Sequence, residues 1–169
     1  MSDFKEITPE QFVQNPFHLL DKEWMLVTAG KGEKVNTMTA SWGGFGVLWN
    51  KYVAYVFIRP TRYTKEFVDA SETLSLSFFP PTYKKQLGYL GRVSGRDVDK
   101  IKESGLTVVK AEDGTPYFQE AKMTLLCKKL YAQELKPECF LVDGIDEKNY
   151  PLKDYHTMYV VEVERILSK

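Results

Sequence analysis

Apolar and polar positions alternate along much of this chain, and the pattern predicts a protein built mainly of β-strands. Residues 24–29 (WMLVTA) and 35–42 (VNTMTASW) flank the polar, glycine-containing stretch GKGEK, as the two arms of a hairpin would. Residues 52–59 are apolar at consecutive positions, which predicts a strand buried on both faces. Residues 73–79 alternate Leu with Ser, as a half-buried strand does.

The C-terminal part of the chain adds two longer strands. Residues 122–135 and 156–167 are the segments KMTLLCKKLYAQEL and HTMYVVEVERIL, and the second alternates clearly from Tyr159 to Arg165.

Three short helices are predicted, one before these strands and two between them. Thr8 caps the first, Pro9 suits its first position and Gln11 completes a capping box, so a helix runs from Pro9 to about Gln14 and ends at Asn15-Pro16. Two more cover about residues 63–70 and the stretch from near Asp97 to Gly105, a helix-ending glycine. Many strands with a few short helices predict a single domain over residues 1–169, mainly β (α+β), with a barrel or rolled sheet.

Charge and composition exclude some classes of function. The 169-residue chain carries 23 basic and 23 acidic residues, so it has no overall field that would attract nucleic acid. It shows no secretory signal and no apolar run of the roughly 18 residues that a membrane span needs. We expect a cytoplasmic protein that binds neither nucleic acid nor membrane.

The two cysteines, Cys127 and Cys139, suggest neither a disulfide nor a metal site. They lie outside any CxxC motif and have no metal-ligand spacing around them. We assign them no role and predict no metal.

Three segments carry candidate binding chemistry. In the first, residues 36–44, small and hydroxyl side chains precede Trp42 and two glycines, so that the backbone can approach a planar ligand. The alternative for this segment is a strand followed by a glycine bulge. The second segment lies at a strand-to-helix junction and offers two guanidinium groups and two hydroxyls, which suit a phosphate: Arg59, Arg62, Tyr63 and Thr64. The alternative for this segment is a solvated turn.

The third segment, residues 91–100, is basic and contains glycine near a helix start. Lys100 can reach an anion, whereas the two aspartates of the segment are better explained as helix caps. Elsewhere, His156 opens the last strand and is a weaker candidate, because a lone histidine is more often structural than catalytic.

Several common motifs are absent. The chain has no GxGxxG after a strand, no GxxxxGK[ST] phosphate loop, no HExxH and no GxSxG. Rossmann-type dinucleotide binding, hydrolase and metalloenzyme interpretations therefore lack their usual support.

The order of three blocks resembles the flavin reductase-like, FMN-binding split-barrel family, especially its flavoredoxin-like branch. The blocks are NPFxLxxxxWMLVTAG, NTMTASWGGFGVLWNKYVAYVFIRPTRYT and SGRDVDKIKESGL. The resemblance runs from about Asn15 to the end of the chain and is most specific over residues 36–64. It implies a split β-barrel with FMN in a groove at a homodimer interface.

The resemblance also implies roles for individual residues. The flavin ring would lie along Asn36, Thr39, Ala40, Ser41 and Trp42. Arg59, Arg62, Tyr63 and Thr64 would bind the phosphate and ribityl chain, and the block containing Ser94 and Lys100 would add a further contact, with Lys100 near the electron-rich edge of the reduced ring. Flavin reductases often carry a GDH element near the nicotinamide site. The matching stretch here is KDYH, without the glycine, so His156 remains a catalytic candidate only.

The implied activity is electron transfer through FMN, with NADH or NADPH as the donor and a small molecule or a redox protein as the acceptor. Two alternatives stay open at this point. One is an FMN electron carrier without enzymatic activity, and the other is a split-barrel module for heme or another ligand.

Overall fold

A computed structural model describes residues 3–169 of the protein. Its strands are β1 (Lys5–Ile7), β2 (Met25–Lys31), β3 (Lys34–Ala40), β4 (Gly43–Leu48), β5 (Lys51–Ile58), β6 (Thr73–Phe78), β7 (Val108–Lys110), β8 (Pro116–Phe118), β9 (Met123–Glu134) and β10 (Thr157–Ser168). Its α-helices are α1 (Pro16–His18), α2 (Thr64–Ala70), α3 (Lys84–Arg92), α4 (Lys100–Ser104) and α5 (Ile145–Asn149). None of the helices in residues 3–169 is long and apolar enough to cross a membrane.

Eight strands form one antiparallel sheet. Seven of them follow in the order β3-β2-β6-β9-β10-β5-β4, and the eighth, β1, pairs with β10. The two long strands β9 and β10 lie at its centre, and β7 and β8 form a separate small ribbon. The end strands β3 and β4 are consecutive in the chain and are joined only by Ser41 and Trp42.

This short connection forces the sheet to curl. Six strand spacings in a flat sheet would separate β3 from β4 by roughly 29 Å. The three Cα–Cα steps from Ala40 to Gly43 span at most about 11 Å. The ends of the sheet must therefore approach each other where β3 passes into β4, which produces a barrel that is split between these two strands.

The core follows the alternation of the strands. On β2, Val27 belongs to the main core cluster, whereas its neighbour Leu26 packs in a second cluster with Leu87 and Leu90 of α3. Both faces of β2 are thus covered, one by the main core cluster and the other by α3.

Most predicted strands are confirmed, but two burial predictions need correction. Residues 73–79 are not half-buried, because Ser75 and Ser77 are fully enclosed. Their hydroxyls are satisfied internally: the Oγ atom of Ser75 donates to the carbonyl of Pro116 at 2.6 Å, and that of Ser77 lies 3.0 Å from Oγ1 of Thr124. Strand β5 is buried on one face, while Tyr55 and Phe57 on the other face stay partly exposed.

The helix predictions are right in part. The N-terminal helix is a single 3₁₀ turn, Pro9–Gln11, which ends before Gln14 although the Thr8 amide does donate to Oε1 of Gln11 at 2.8 Å. Asn15 starts the next helix instead of ending the first, because its Oδ1 accepts from the amide of Phe17 at 3.0 Å.

The helices at residues 63–70 and before Gly105 are present. The second begins at Lys100 instead of near Asp97, and Gly105 ends it with a left-handed φ of 73°. Helix α3 was not predicted, since its sequence KKQLGYLGR contains two glycines and few strong apolar positions.

Candidate functional site

The candidate site is an open pocket of about 190 Å³ where β3 passes into β4. The end of β3, the connection to β4, the end of β5, the turn before α2 and the start of β10 all contribute to it. Its walls are Met38, Thr39, Ala40, Ser41, Trp42, Phe57, Arg59, Arg62 and His156. The structure thus brings together most of the predicted ring segment, both predicted arginines and the candidate histidine.

The ring segment presents mainly backbone and an aromatic face. The Oγ1 atom of Thr39 donates to the carbonyl of Leu87 at 2.5 Å, so this hydroxyl is used in fixing β3 to α3. Ser41 and Trp42 lie outside the strands, and Trp42 remains half-exposed. Gly43 is required directly after them, because a Cβ there would lie 2.6 Å from the carbonyl oxygen of Tyr55.

The two arginines of the pocket differ in their partners. Arg59 donates to Oδ2 of Asp154 and to the carbonyl of Asn149, both at 2.7 Å, and it lies 5.0 Å from the ring centre of Tyr150. Its charge is therefore neutralised within the protein, and the guanidinium in turn lowers the pKa of Asp154.

Arg62 has no such compensation. Its Nη1 donates to the carbonyl of Gly91 at 3.0 Å, and no carboxylate in residues 3–169 forms a salt bridge with it. Burial lowers its pKa, which means that the surroundings disfavour the charge unless an anion approaches. A partly buried guanidinium with open donors is suited to bind a phosphate.

His156 is a neutral imidazole in this pocket. Only 7% of the residue is exposed, and its ring centre lies 5.2 Å from that of Trp42. Burial and the neighbouring Arg59 lower its pKa to about 4, although Asp154 opposes the shift. The Nδ1 atom lies 2.7 Å from the hydroxyl of Tyr150.

The remaining predicted residues lie beside the pocket. Asn36 is buried, and its Nδ2 donates to Oγ1 of Thr64 at 2.9 Å. Asn36, Tyr63 and Lys100 face a second cavity of about 470 Å³, while Oγ of Ser94 accepts from the amide of Arg96 at 3.2 Å within its own turn. These residues support the turn before α2 and the start of α4.

Lys100 is placed differently from the prediction that it reaches an anion or the flavin edge. Its Nζ donates to the carbonyls of Leu90 at 2.9 Å and Val93 at 3.0 Å, and the side chain is buried. Burial and the nearby charge of Arg62 lower its pKa to about 8. In this position Lys100 satisfies carbonyls at the C-terminal end of α3.

Several residues around the site were not predicted from the sequence. Arg59 and His156 are held by Asn149 at the end of α5 and by Tyr150 and Asp154, which lie between α5 and β10. The Oδ1 atom of Asp154 is buried without a partner in residues 3–169. Asp154 could have been noticed from its place in KDYH, whereas nothing in the sequence singles out Tyr150. Lys153 has a φ of 57°, a conformation that favours glycine, at the stretch where the family element carries one.

The cysteines take no part in this site. Cys127 is buried on β9, where burial raises the pKa of its thiol, and Cys139 is exposed. Both are unpaired.

The residues that line the pocket fit parts of FMN. Apolar side chains of Met38 and Phe57 and the backbone of residues 39–42 offer surfaces for a planar ring, and Arg62 offers a cation for a phosphate. However, pockets that enclose a whole small ligand typically measure roughly 300–1,000 Å³, so one chain encloses only part of a molecule of this size.

Fold and pocket together define a split β-barrel protein with an open pocket beside a partly buried cation, Arg62. Residues 18–168 match the family described as flavin reductase like domain, and the chain belongs to this family. The family prediction made from the three sequence blocks is thereby confirmed. A comparison with curated proteins gave no match.

Several solved structures share this fold. A Thermus thermophilus FMN-binding protein with bound p-hydroxybenzaldehyde is 21% identical, with a TM-score of 0.69 over 98% of this chain and 82% of its own. The flavoredoxin of Desulfovibrio vulgaris (Miyazaki F) is 20% identical, with a TM-score of 0.68 over 96% and 77%. A Streptomyces globisporus NADH:FAD oxidoreductase is 19% identical, with a TM-score of 0.65 over 96% and 85%. At these identities the likeness shows the fold, and the predicted split β-barrel is confirmed.

The lowered pKa of His156 predicts a specific pH dependence of stability. Since the pKa falls from 6.5 to about 4 on folding, the folded protein binds this proton more weakly than the unfolded chain does. The contribution of this shift to the free energy of unfolding is fully present above pH 6.5 and is lost as the pH falls towards 4. Between about pH 7 and 4.5 the free energy of unfolding falls by on the order of 2 kcal/mol.

His156→Gln removes this titration. We therefore expect the free energy of unfolding of the wild type, relative to that of the variant, to fall by this amount as the pH is lowered. Urea denaturation of both proteins at matched concentration measures it, and a difference that stays constant with pH contradicts the prediction.

Proposed function

We propose that this protein is an FMN-dependent oxidoreductase that takes electrons from NADH or NADPH and passes them to a small-molecule or protein acceptor. The observation that carries the FMN assignment is Arg62, a partly buried cation without a carboxylate partner in residues 3–169. It lines a pocket together with apolar side chains and with Ser41 and Trp42, which lie outside the strands. Family membership supports the same cofactor.

Each part of the pocket has a distinct task in this proposal. Arg62 binds the phosphate, and the backbone of Ser41 and Trp42 binds the edge of the ring. Met38 and Phe57 exclude water from its apolar part. When bound, FMN supplies the hydride and electron transfer.

The protein contributes to this chemistry mainly through charge and hydrogen bonding. Arg62 and the N–H groups of the ring segment are fixed before the ligand binds, so they can stabilise negative charge without reorganising. His156 stays neutral at physiological pH and offers a hydrogen bond instead of a second positive charge.

We further infer that two copies of the chain complete the site. The pocket measures about 190 Å³ and is open to solvent, and Trp42, Val47, Trp49 and Tyr52 expose large apolar surfaces on or next to β4. A second copy would cover this surface and enclose the exposed side of the ligand.

Light scattering on the flavin-loaded protein tests the two-copy inference. We expect a mass of twice the 19.5 kDa chain, because the apolar surface and the open pocket both need a cover. A mass of one chain at micromolar concentration contradicts it.

The second candidate function is an electron carrier that holds FMN without reacting with a nicotinamide. The fold is shared with a flavoredoxin as well as with an NADH:FAD oxidoreductase, so this alternative has its own support. The cytoplasmic location remains a prediction, and the two unpaired cysteines are consistent with it.

Purification and anaerobic mixing separate these functions. We expect a yellow protein that releases FMN on denaturation and whose flavin absorbance bleaches when NADH or NADPH is added. A flavin that dithionite reduces but neither nicotinamide does would favour the carrier. A colourless protein whose fluorescence and spectrum FMN leaves unchanged would overturn the FMN assignment.

The role of Arg62 predicts which part of the cofactor it recognises. In Arg62→Gln, the Kd for FMN should rise about 10- to 100-fold, as expected for a charge-assisted hydrogen bond worth about 1.5–3 kcal/mol. The Kd for riboflavin, which lacks the phosphate, should change less than threefold. Fluorescence titration measures both constants.

Arg96→Gln is the matched control. Arg96 is already paired with Glu66 at 2.6 Å and does not line the candidate pocket, so its removal should leave the Kd for FMN unchanged. Equal losses for FMN and riboflavin in Arg62→Gln would contradict phosphate recognition by this residue.

A further inference from the structure

Tyr150 and His156 form a buried contact at the rear of the candidate pocket. A tight turn brings them together: the amide of Lys153 donates to the carbonyl of Tyr150 at 3.0 Å, and Lys153 adopts its left-handed φ of 57°. The Tyr150 hydroxyl then lies 2.7 Å from Nδ1 of His156. Tyr150 itself is only 4% exposed.

The environment of Tyr150 fixes its ring. The ring centre of Tyr155 lies 4.9 Å away and that of Phe140 lies 5.9 Å away. The guanidinium of Arg59 lies 5.0 Å from the centre of the Tyr150 ring. The hydroxyl therefore has a defined position and direction relative to His156.

The direction of this hydrogen bond follows from the partners that are available. His156 Nδ1 is the only hydrogen-bond acceptor of the Tyr150 hydroxyl in residues 3–169, because its other contact, the backbone N–H of His156, is a donor. If Nδ1 carried the proton and donated it, the buried O–H of Tyr150 would have no acceptor, at a cost of about 1–3 kcal/mol. Burial also raises the pKa of Tyr150, so the phenol keeps its proton. The hydroxyl donates, and Nδ1 accepts.

A neutral imidazole that accepts at Nδ1 must carry its proton on Nε2. No residue in 3–169 is hydrogen-bonded to Nε2, and this atom is not among the enclosed polar atoms without a partner. It is therefore open to the pocket that His156 lines beside Trp42.

We propose that Tyr150 is a positioning residue that holds His156 as the Nε2–H tautomer, a neutral donor aimed at a carbonyl oxygen of the substrate that reacts in this pocket. The proposal deepens the proposed function and rests on it for the identity of the reaction. A primary carboxamide, such as the one that a nicotinamide carries, has the acceptor that this donor requires. A neutral donor binds a carbonyl oxygen without adding a cation beside Arg59 and Arg62.

Tyr150→Phe tests the proposal, because it keeps the buried ring and removes only the hydroxyl. Tyr155→Phe is the matched control: it lies next to Tyr150, but its hydroxyl donates to Asp146 at 2.9 Å instead of to His156. Both variants delete one oxygen from the same aromatic cluster.

The first measurement is the tautomer of His156, read from ¹⁵N shifts of histidine-labelled full-length protein. The chain has only two histidines, so His18→Gln assigns the signals. We expect Nε2–H in the wild type and in Tyr155→Phe, and a mixture of both tautomers in Tyr150→Phe. This measurement needs no nicotinamide, and the wild-type result alone decides the tautomer even if a variant fails to fold.

The second measurement is the rate of flavin reduction by NADH or NADPH in the flavin-loaded protein. We expect Tyr150→Phe to lose about tenfold in the second-order rate constant, Tyr155→Phe to lose less than twofold, and the Kd for FMN to stay within twofold in both. His156→Gln, whose amide can place an N–H near the position of Nε2, should retain more of the rate than His156→Leu.

Some results would overturn the proposal. These are an Nδ1–H tautomer in the wild type, an unchanged tautomer in Tyr150→Phe, or equal rates in the two tyrosine variants. A wild-type flavin that no nicotinamide reduces would instead refute the proposed function and the substrate role of His156 together, whereas the tautomer set by Tyr150 would still stand or fall by the ¹⁵N shifts.

Discussion

The two-residue connection between β3 and β4 is the constraint on which the rest of this structure depends. These strands are the two ends of the sheet, and Ser41 and Trp42 hold them together, so the sheet has to roll up. The same residues lie outside both strands, which leaves backbone and an indole free for a ligand. Gly43 allows the sharp return because any side chain there would meet the carbonyl of Tyr55. Barrel closure and this wall of the pocket thus have one structural origin.

Charge compensation then determines what each polar group of the pocket can do. Arg59 is used to bind Asp154 and the carbonyl of Asn149, and it packs against Tyr150. Arg62, three residues later, lacks a carboxylate partner in residues 3–169 and remains available for an anion. The burial that disfavours charge on Arg62 also keeps His156 neutral. The pocket therefore has one available cation and one neutral imidazole, an arrangement suited to binding an anionic cofactor without excess positive charge.

Internal hydrogen bonds give several polar residues that look functional in the sequence a role in the fold. Lys100 satisfies two carbonyls at the end of α3, and Asn36 is bonded to Thr64. Ser75 and Ser77 are enclosed for the same reason, since each hydroxyl has a partner inside the protein. Residue type alone cannot distinguish such a group from a ligand-binding one, because the difference lies in which partner is near.

The sequence by itself determined the strands, the family and the segments that form the pocket. Alternation of apolar residues is a local property, and the blocks around residues 36–64 are specific enough to indicate a flavin site. The tertiary structure decided which of these residues meet. It placed Tyr150 against His156, a pair that belongs to no common motif. It also placed Asp154 against Arg59, which lies 95 residues earlier in the chain. It also directed the Nζ atom of Lys100 to the carbonyls of Leu90 and Val93. Burial and partner choice depend on distant segments packing together, and no local pattern of residues encodes them.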